Sequence, residues 1–155
     1  MRKLLPIAAT GLLALLPYAA LAQDMSSPVG NWKTVDDKTG RVKSMVQISD
    51  VGGKLSGKVI EVYPAPGEPA EPLCDQCTSP SLHNKKIKGM TIMWGFHQDG
   101  DTWTGGRIFD PKKSGSDEDP YKAKITLTNG GQDLIVRGYI GFSLLGRSQT
   151  WIREQ

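Results

Sequence analysis

Histidine and cysteine carry much of protein chemistry at neutral pH, and this chain has two of each in 155 residues. With so few histidines, a Ser/His/Asp arrangement would have to use His83 or His97. Together with Cys74 and Cys77 they read C-x2-C-x5-H-x13-H, which matches no usual zinc spacing, so neither a metal nor a cofactor is expected. The sequence has no G-x-S-x-G, no H-E-x-x-H, no phosphate-binding loop and no dinucleotide fingerprint. "GFSLLG" at 141–146 has a passing likeness to a nucleophile elbow but lacks its spacing and its following helix. Asp36, Asp37 and Asp110 stand in turn contexts, where aspartate is ordinary, and nothing in the spacing brings them to Glu61. Catalysis, thiol exchange included, therefore ranks last among the function classes.

A concentrated basic face is missing as well. Lys85-Lys86-Ile87-Lys88 is the densest basic patch and "SDEDP" at 116–120 the densest acidic one, and both read as solvated turns. Phosphate-backbone binding needs more than that, so nucleic acid is not an expected partner. Long uncharged runs are absent except at residues 4–22, where Arg2 and Lys3 precede 19 uncharged residues. Pro6 and Pro17 leave Ile7 to Leu16 as the unbroken apolar stretch, short for a membrane span but suited to a signal peptide. Ala20-Leu21-Ala22 is an A-x-A cleavage pattern. The expectation is a signal peptide over 1–22 cut after Ala22, a periplasmic product with no membrane anchor, and a single domain over 23–155. Removing Arg2 and Lys3 leaves 17 basic against 16 acidic residues, a nearly neutral protein.

A helical period is lacking too; what recurs is alternation with period two, broken by turn residues. Strands are predicted at 30–36, 41–49, 54–63, 88–98, 102–109, 121–128, 134–140 and 147–153. In the third, the apolar set changes face near Val59-Ile60, which predicts a bulge. In the fourth, Met90, Ile92, Trp94 and Phe96 are expected to face inward against Thr91, Met93 and His97. Eight strands joined without helical crossovers pair antiparallel and close naturally into an up-and-down barrel, with a sandwich as the competing all-β arrangement. Two connections are long: a Pro-rich loop at 64–87 and a second at 110–120.

Cys74 and Cys77 sit inside the longer loop. Thiol exchange would put them at a helix start beside positive charge, whereas here Pro-rich sequence, Glu71 and Asp75 flank them. An oxidising compartment favours a local disulfide, since a four-residue turn holds its ends within bridging distance. Closing so small a loop contributes about 2 kcal/mol, so the bridge stiffens a loop and does not hold the barrel together.

The segments "GNWKTVDDKTGRVKS", "LCDQC", "KGMTIMWGF", "GGRIFDP" and "VRGYIGFSLLGRSQTWIR", in that order, resemble the bacterial family called domain of unknown function 2147. The resemblance covers nearly all of residues 28–153. It implies a lipocalin-like barrel, a periplasmic home and no established activity. Lipocalins open their first strand with G-x-W and cover that tryptophan with a basic residue from the far end of the barrel. Gly30-Asn31-Trp32 is similar to the first half of that pattern, and Arg153 is the candidate for the second, as a cation–π contact closing the barrel.

The leading function is then a binding protein with a small apolar or amphipathic ligand in the barrel mouth. Trp94, Phe96, Trp103 and Tyr121 are the aromatics expected near it, with Arg107 or Arg137 as anchor for an anionic group. The alternative is a solidly packed envelope scaffold that works through loop 64–87 and the apolar turn 141–146. Glycines at 95, 105, 106, 138 and 141 fit either strand bending or close approach to a ligand.

Overall fold

Apolar residues at every second position give a strand one face to bury, and eight such strands run from Gly30 to Arg153. The computed structural model describes residues 23–155; the expected signal peptide lies outside them. The strands are β1 (Gly30–Val35), β2 (Val42–Val51), β3 (Lys54–Val62), β4 (Thr91–Asp99), β5 (Thr102–Ile108), β6 (Tyr121–Thr128), β7 (Asp133–Tyr139) and β8 (Gly146–Arg153). Each pairs antiparallel with the next, and β1 pairs with β8 through Trp32 opposite Arg153 and Lys33 opposite Ile152. The result is a closed up-and-down barrel, which leaves no free sheet edge.

Tight turns and long loops alternate along this meander, so topology sends them to opposite ends. The β2–β3, β4–β5 and β6–β7 turns are short. In the first, the Asp50 carboxylate accepts a 2.7 Å bond from the Gly53 N–H, and Gly52 and Gly53 both adopt the positive φ such a turn needs. This end is packed. Trp32, Ile48, Leu55, Phe96, Trp103, Ile125 and Leu134 are all buried around it.

A strap from the N-terminal side covers the packed end. Trp32 Nε1 donates to Pro28 O at 2.8 Å, and the Arg153 guanidinium carbon lies 4.3 Å from the Trp32 ring centroid. The same guanidinium donates to the carbonyls of Gly131 (2.7 Å), Val29 (3.1 Å) and Ser27 (2.7 Å). Burial lowers the Arg153 pKa from its usual value, and nearby Asp24 opposes that shift. Gly131 must be glycine: a Cβ there would sit 2.0 Å from Met25 O in the strap.

The bulges re-aim side chains. Ile60 is the extra residue of β3 between Val59, paired with Val46, and Glu61, paired with Met45, as the face change near Val59-Ile60 predicts. β4 departs from its expected pattern. It carries one extra residue between Thr91 and Met93 and another between Met93 and Phe96, relative to β3. Met93 therefore turns inward over Gly57, whose missing side chain makes the room: a Cβ there would meet Met93 Cγ at 2.5 Å. Trp94, expected inward, is turned to the outer wall and is 37% exposed. Gly95 takes φ 83°, and Phe96 comes back to the core.

Candidate functional site

The other end of the barrel is hollow. All four longer connections, 36–41, 63–90, 109–120 and 140–145, meet there, and the strand ends beneath them enclose a cavity of about 500 Å³. That volume is in the range of small-molecule sites. Its walls are apolar: Val59, Ile92, Ile108, Val136 and Trp151 come from five different strands. The Thr34 and Ser44 hydroxyls, 2.7 Å apart, bond to each other across β1 and β2 and so satisfy one another in this wall.

Loop 64–87 forms one side of the mouth as a folded wall. Cys74 N donates to Lys85 O at 2.8 Å, Asn84 N to Cys74 O at 3.0 Å and Ile87 N to Pro72 O at 3.1 Å, a small hairpin that turns Pro72 and Ile87 toward the cavity. Cys74 and Cys77 form a disulfide with Cα atoms 5.3 Å apart, and both are buried.

The neighbouring loop, 110–120, is tied to it. The Asp117 carboxylate accepts from Ser79 N (2.9 Å) and Thr78 N (3.1 Å), and Glu118 accepts from the Thr78 hydroxyl at 3.0 Å. Burial alone would raise the Asp117 carboxyl, but the bonds from Ser79 and Thr78 outweigh it and hold the pKa at about 2. The acidic "SDEDP" segment, expected to be a solvated turn, is thus a clasp between loops.

Basic residues dominate the rim. Arg41, Lys43, Lys112, Lys113 and Arg147 line it, against Glu68 and Asp110. The two acids are engaged by their own loops: Glu68 accepts from Ala65 N at 2.8 Å and Asp110 from Lys112 N at 2.9 Å. The Ala65 bond lowers the Glu68 pKa, with burial opposing and Lys112 adding to the shift. Lys113 Nζ stands 4.9 Å over the Tyr121 ring, and Arg41 donates to Tyr63 O at 2.6 Å. Arg147 is paired with Asp37 and Lys112, more loosely, with Glu68 at 3.7 Å. Among the described residues, no hydrogen bond or ion pair engages the Lys43 ammonium.

Of the six residues expected near a ligand, Tyr121 lines this cavity. Phe96 and Trp103 are in the packed end instead, because they lie near the tight β4–β5 turn. Trp94 and Arg107 face each other across β4 and β5 on the outer wall. Arg107 rims a separate shallow hollow of about 160 Å³ with Lys122 and Tyr139. Arg137 is a latch: its guanidinium donates to Ser143 O (2.6 Å), Leu144 O (3.3 Å) and Ser148 Oγ (3.0 Å). The carboxylates considered for acid–base work stay apart. Asp36 caps its own turn, accepting from Thr39 N at 2.9 Å, and Glu61 pairs with Lys88 at 2.8 Å.

The rim residues themselves, scattered along the chain, carried no local signal, but the end at which they meet did. In a meander, every second connection shares an end, so chain order alone assigns the four connections 36–41, 63–90, 109–120 and 140–145 to one mouth.

A family profile described as "uncharacterized protein conserved in bacteria (DUF2147)" matches residues 30–153. The chain belongs to that family. No curated protein matches this DUF2147 chain. Among solved structures it is similar to the HP1028 protein of the human pathogen Helicobacter pylori, which is described as belonging to the lipocalin family. The identity is 18%, the match covers 83% of this chain and 84% of that one, and the TM-score is 0.68. At that identity the likeness establishes a shared lipocalin-like fold. Among the described residues, no helix is long and apolar enough to cross a membrane.

Proposed function

We propose that this DUF2147 protein binds one small amphipathic molecule, with its apolar part in the open half of the barrel and an anionic group at the rim. The observation that carries the reading is a cavity of about 500 Å³ whose walls are largely apolar and whose mouth is lined by five basic side chains and two acidic ones. Burying an apolar body there gains roughly 25 cal/mol for each Å² removed from water, without regard to direction. The rim supplies what burial cannot, an orientation. Lys43 and Lys113 are the primary contacts for the anionic group, since Arg147, Arg41 and Lys112 already hold ion-pair or hydrogen-bond partners. A solidly packed scaffold is at odds with a void of this size.

The compartment in this proposal is the periplasm, supported by the charged n-region, apolar core and A-x-A site of residues 1–22 and by a chain whose two cysteines are paired.

Anilinonaphthalene sulfonate, an apolar body bearing an anionic group, tests the binding site. It is expected to bind saturably to the chain from Gln23 onward, and Val136→Trp, which fills the cavity, is expected to weaken binding by about tenfold or more. Equal binding by both proteins would place the probe elsewhere and remove support for the cavity.

A further inference from the structure

The turn between β7 and β8 holds four apolar side chains out in solvent. Ile140, Phe142, Leu144 and Leu145 are 70%, 78%, 89% and 75% exposed. Isolated exposed apolar residues need no explanation, but a cluster on one projecting turn does. This turn is held in place. Arg137 donates to the carbonyls of Ser143 and Leu144, and Leu145 N donates to Phe142 O at 3.0 Å within the one-turn helix Ser143–Leu145. Gly146 lets the turn close onto β7, since a Cβ there would sit 2.6 Å from Gly138 O. The fold thus keeps these side chains outward although the apolar cavity lies beside them, with Ile140 and Leu145 on its rim.

We infer that this turn is a membrane-docking finger that inserts into the headgroup region of an anionic lipid surface and sets the cavity mouth against it. Charge complementarity selects the occupant. The rim around the finger carries Arg41, Lys43, Lys112, Lys113 and Arg147 against Glu68 and Asp110, and an excess of basic residues flanking an apolar insertion is the combination that binds anionic bilayers. A protein partner would need a broader surface than one convex turn provides. A second copy packed turn against turn would set two predominantly basic rims against each other, which like-charge repulsion opposes. Lipid is also a phase from which an amphipathic ligand could enter the adjacent mouth. Docking goes beyond the binding proposal and stands without it.

The test is co-sedimentation of the chain from Gln23 onward, which contains all eight strands, with phosphatidylcholine vesicles and with phosphatidylcholine–phosphatidylglycerol vesicles. Binding is expected to the mixed vesicles, to weaken with added salt, and to fall about tenfold or more in Phe142→Ser/Leu144→Ser. Anilinonaphthalene sulfonate binding to the same variant is expected to persist, which keeps failure of docking distinct from failure of the cavity reading. Failure of the parent to sediment with either vesicle, or equal sedimentation of parent and variant, overturns the inference. So does a parent oligomer that the substitutions dissolve without any vesicle effect, which would assign the finger to a second copy.

Discussion

Arg153 and Trp32 are neighbours twice over: their backbones pair in the β1–β8 seam, and the guanidinium carbon lies 4.3 Å from the indole centroid. The same guanidinium caps three carbonyls, so one side chain joins the first strand, the last strand, the strap and the β6–β7 turn. Arg153→Ala would strand those acceptors. The expected cost is about 3 kcal/mol, a fall in Tm of roughly 10 °C by thermal melting, with Arg153→Lys intermediate because it keeps charge without the fork. An Ala variant as stable as the parent would show that the seam closes without it.

The clasp from Asp117 to Thr78 and Ser79 depends on pH. Its folded pKa of about 2 is below the ordinary 3.8, so its contribution is fully present above about pH 4 and is lost as pH falls toward 2. Hydrogen exchange at the Thr78 and Ser79 amides should show protection that declines over that window and is weakened at neutral pH in Asp117→Ala. Protection that ignores both changes would mean the loops are held by something else. Because the carboxylate is only half-buried, the effect on global stability is expected to be small.

Removing the disulfide is expected to loosen the mouth while leaving the barrel standing. Cys74→Ser with Cys77→Ser should retain the far-ultraviolet spectrum of the parent and lose about 2 kcal/mol or less, with faster exchange confined to 72–87. An unfolded double variant would mean the buried pair nucleates more of the structure than its short loop implies.

Gly106 tests how the packed end was built. Its φ is ordinary, so the objection to a side chain is space: a Cβ would lie 2.3 Å from the Phe96 ring. Gly106→Ala is expected to cost about 1–3 kcal/mol in denaturant unfolding, and Gly106→Ala with Phe96→Leu to recover part of it. Simple additivity of the two would contradict the proposed contact.

What was legible in the sequence follows from where local rules decide. The strand at 121–128 read correctly and that at 54–63 to within one residue, because apolar residues alternate between turn signals, and the β3 bulge showed as a change of face at Val59-Ile60. β4 did not read correctly, since its two extra residues exist only relative to β3, and Met93 turns inward because Gly57, over 30 positions away, leaves room. Phe96 and Trp103 look like ligand aromatics until the barrel has two unequal ends. The rim was hidden for a similar reason. Arg41, Lys43, Lys112, Lys113 and Arg147 are scattered singly or in pairs along the chain and become one charged ring only after closure.

The most direct test of a ligand-holding barrel is native mass spectrometry of protein recovered from an expressing cell, set against its denatured mass. The account predicts a discrete excess mass, lost on denaturation and absent from a Val136→Trp variant prepared in parallel. An identical excess on both proteins, or a bare chain that also takes up no anionic amphipathic probe, would contradict it.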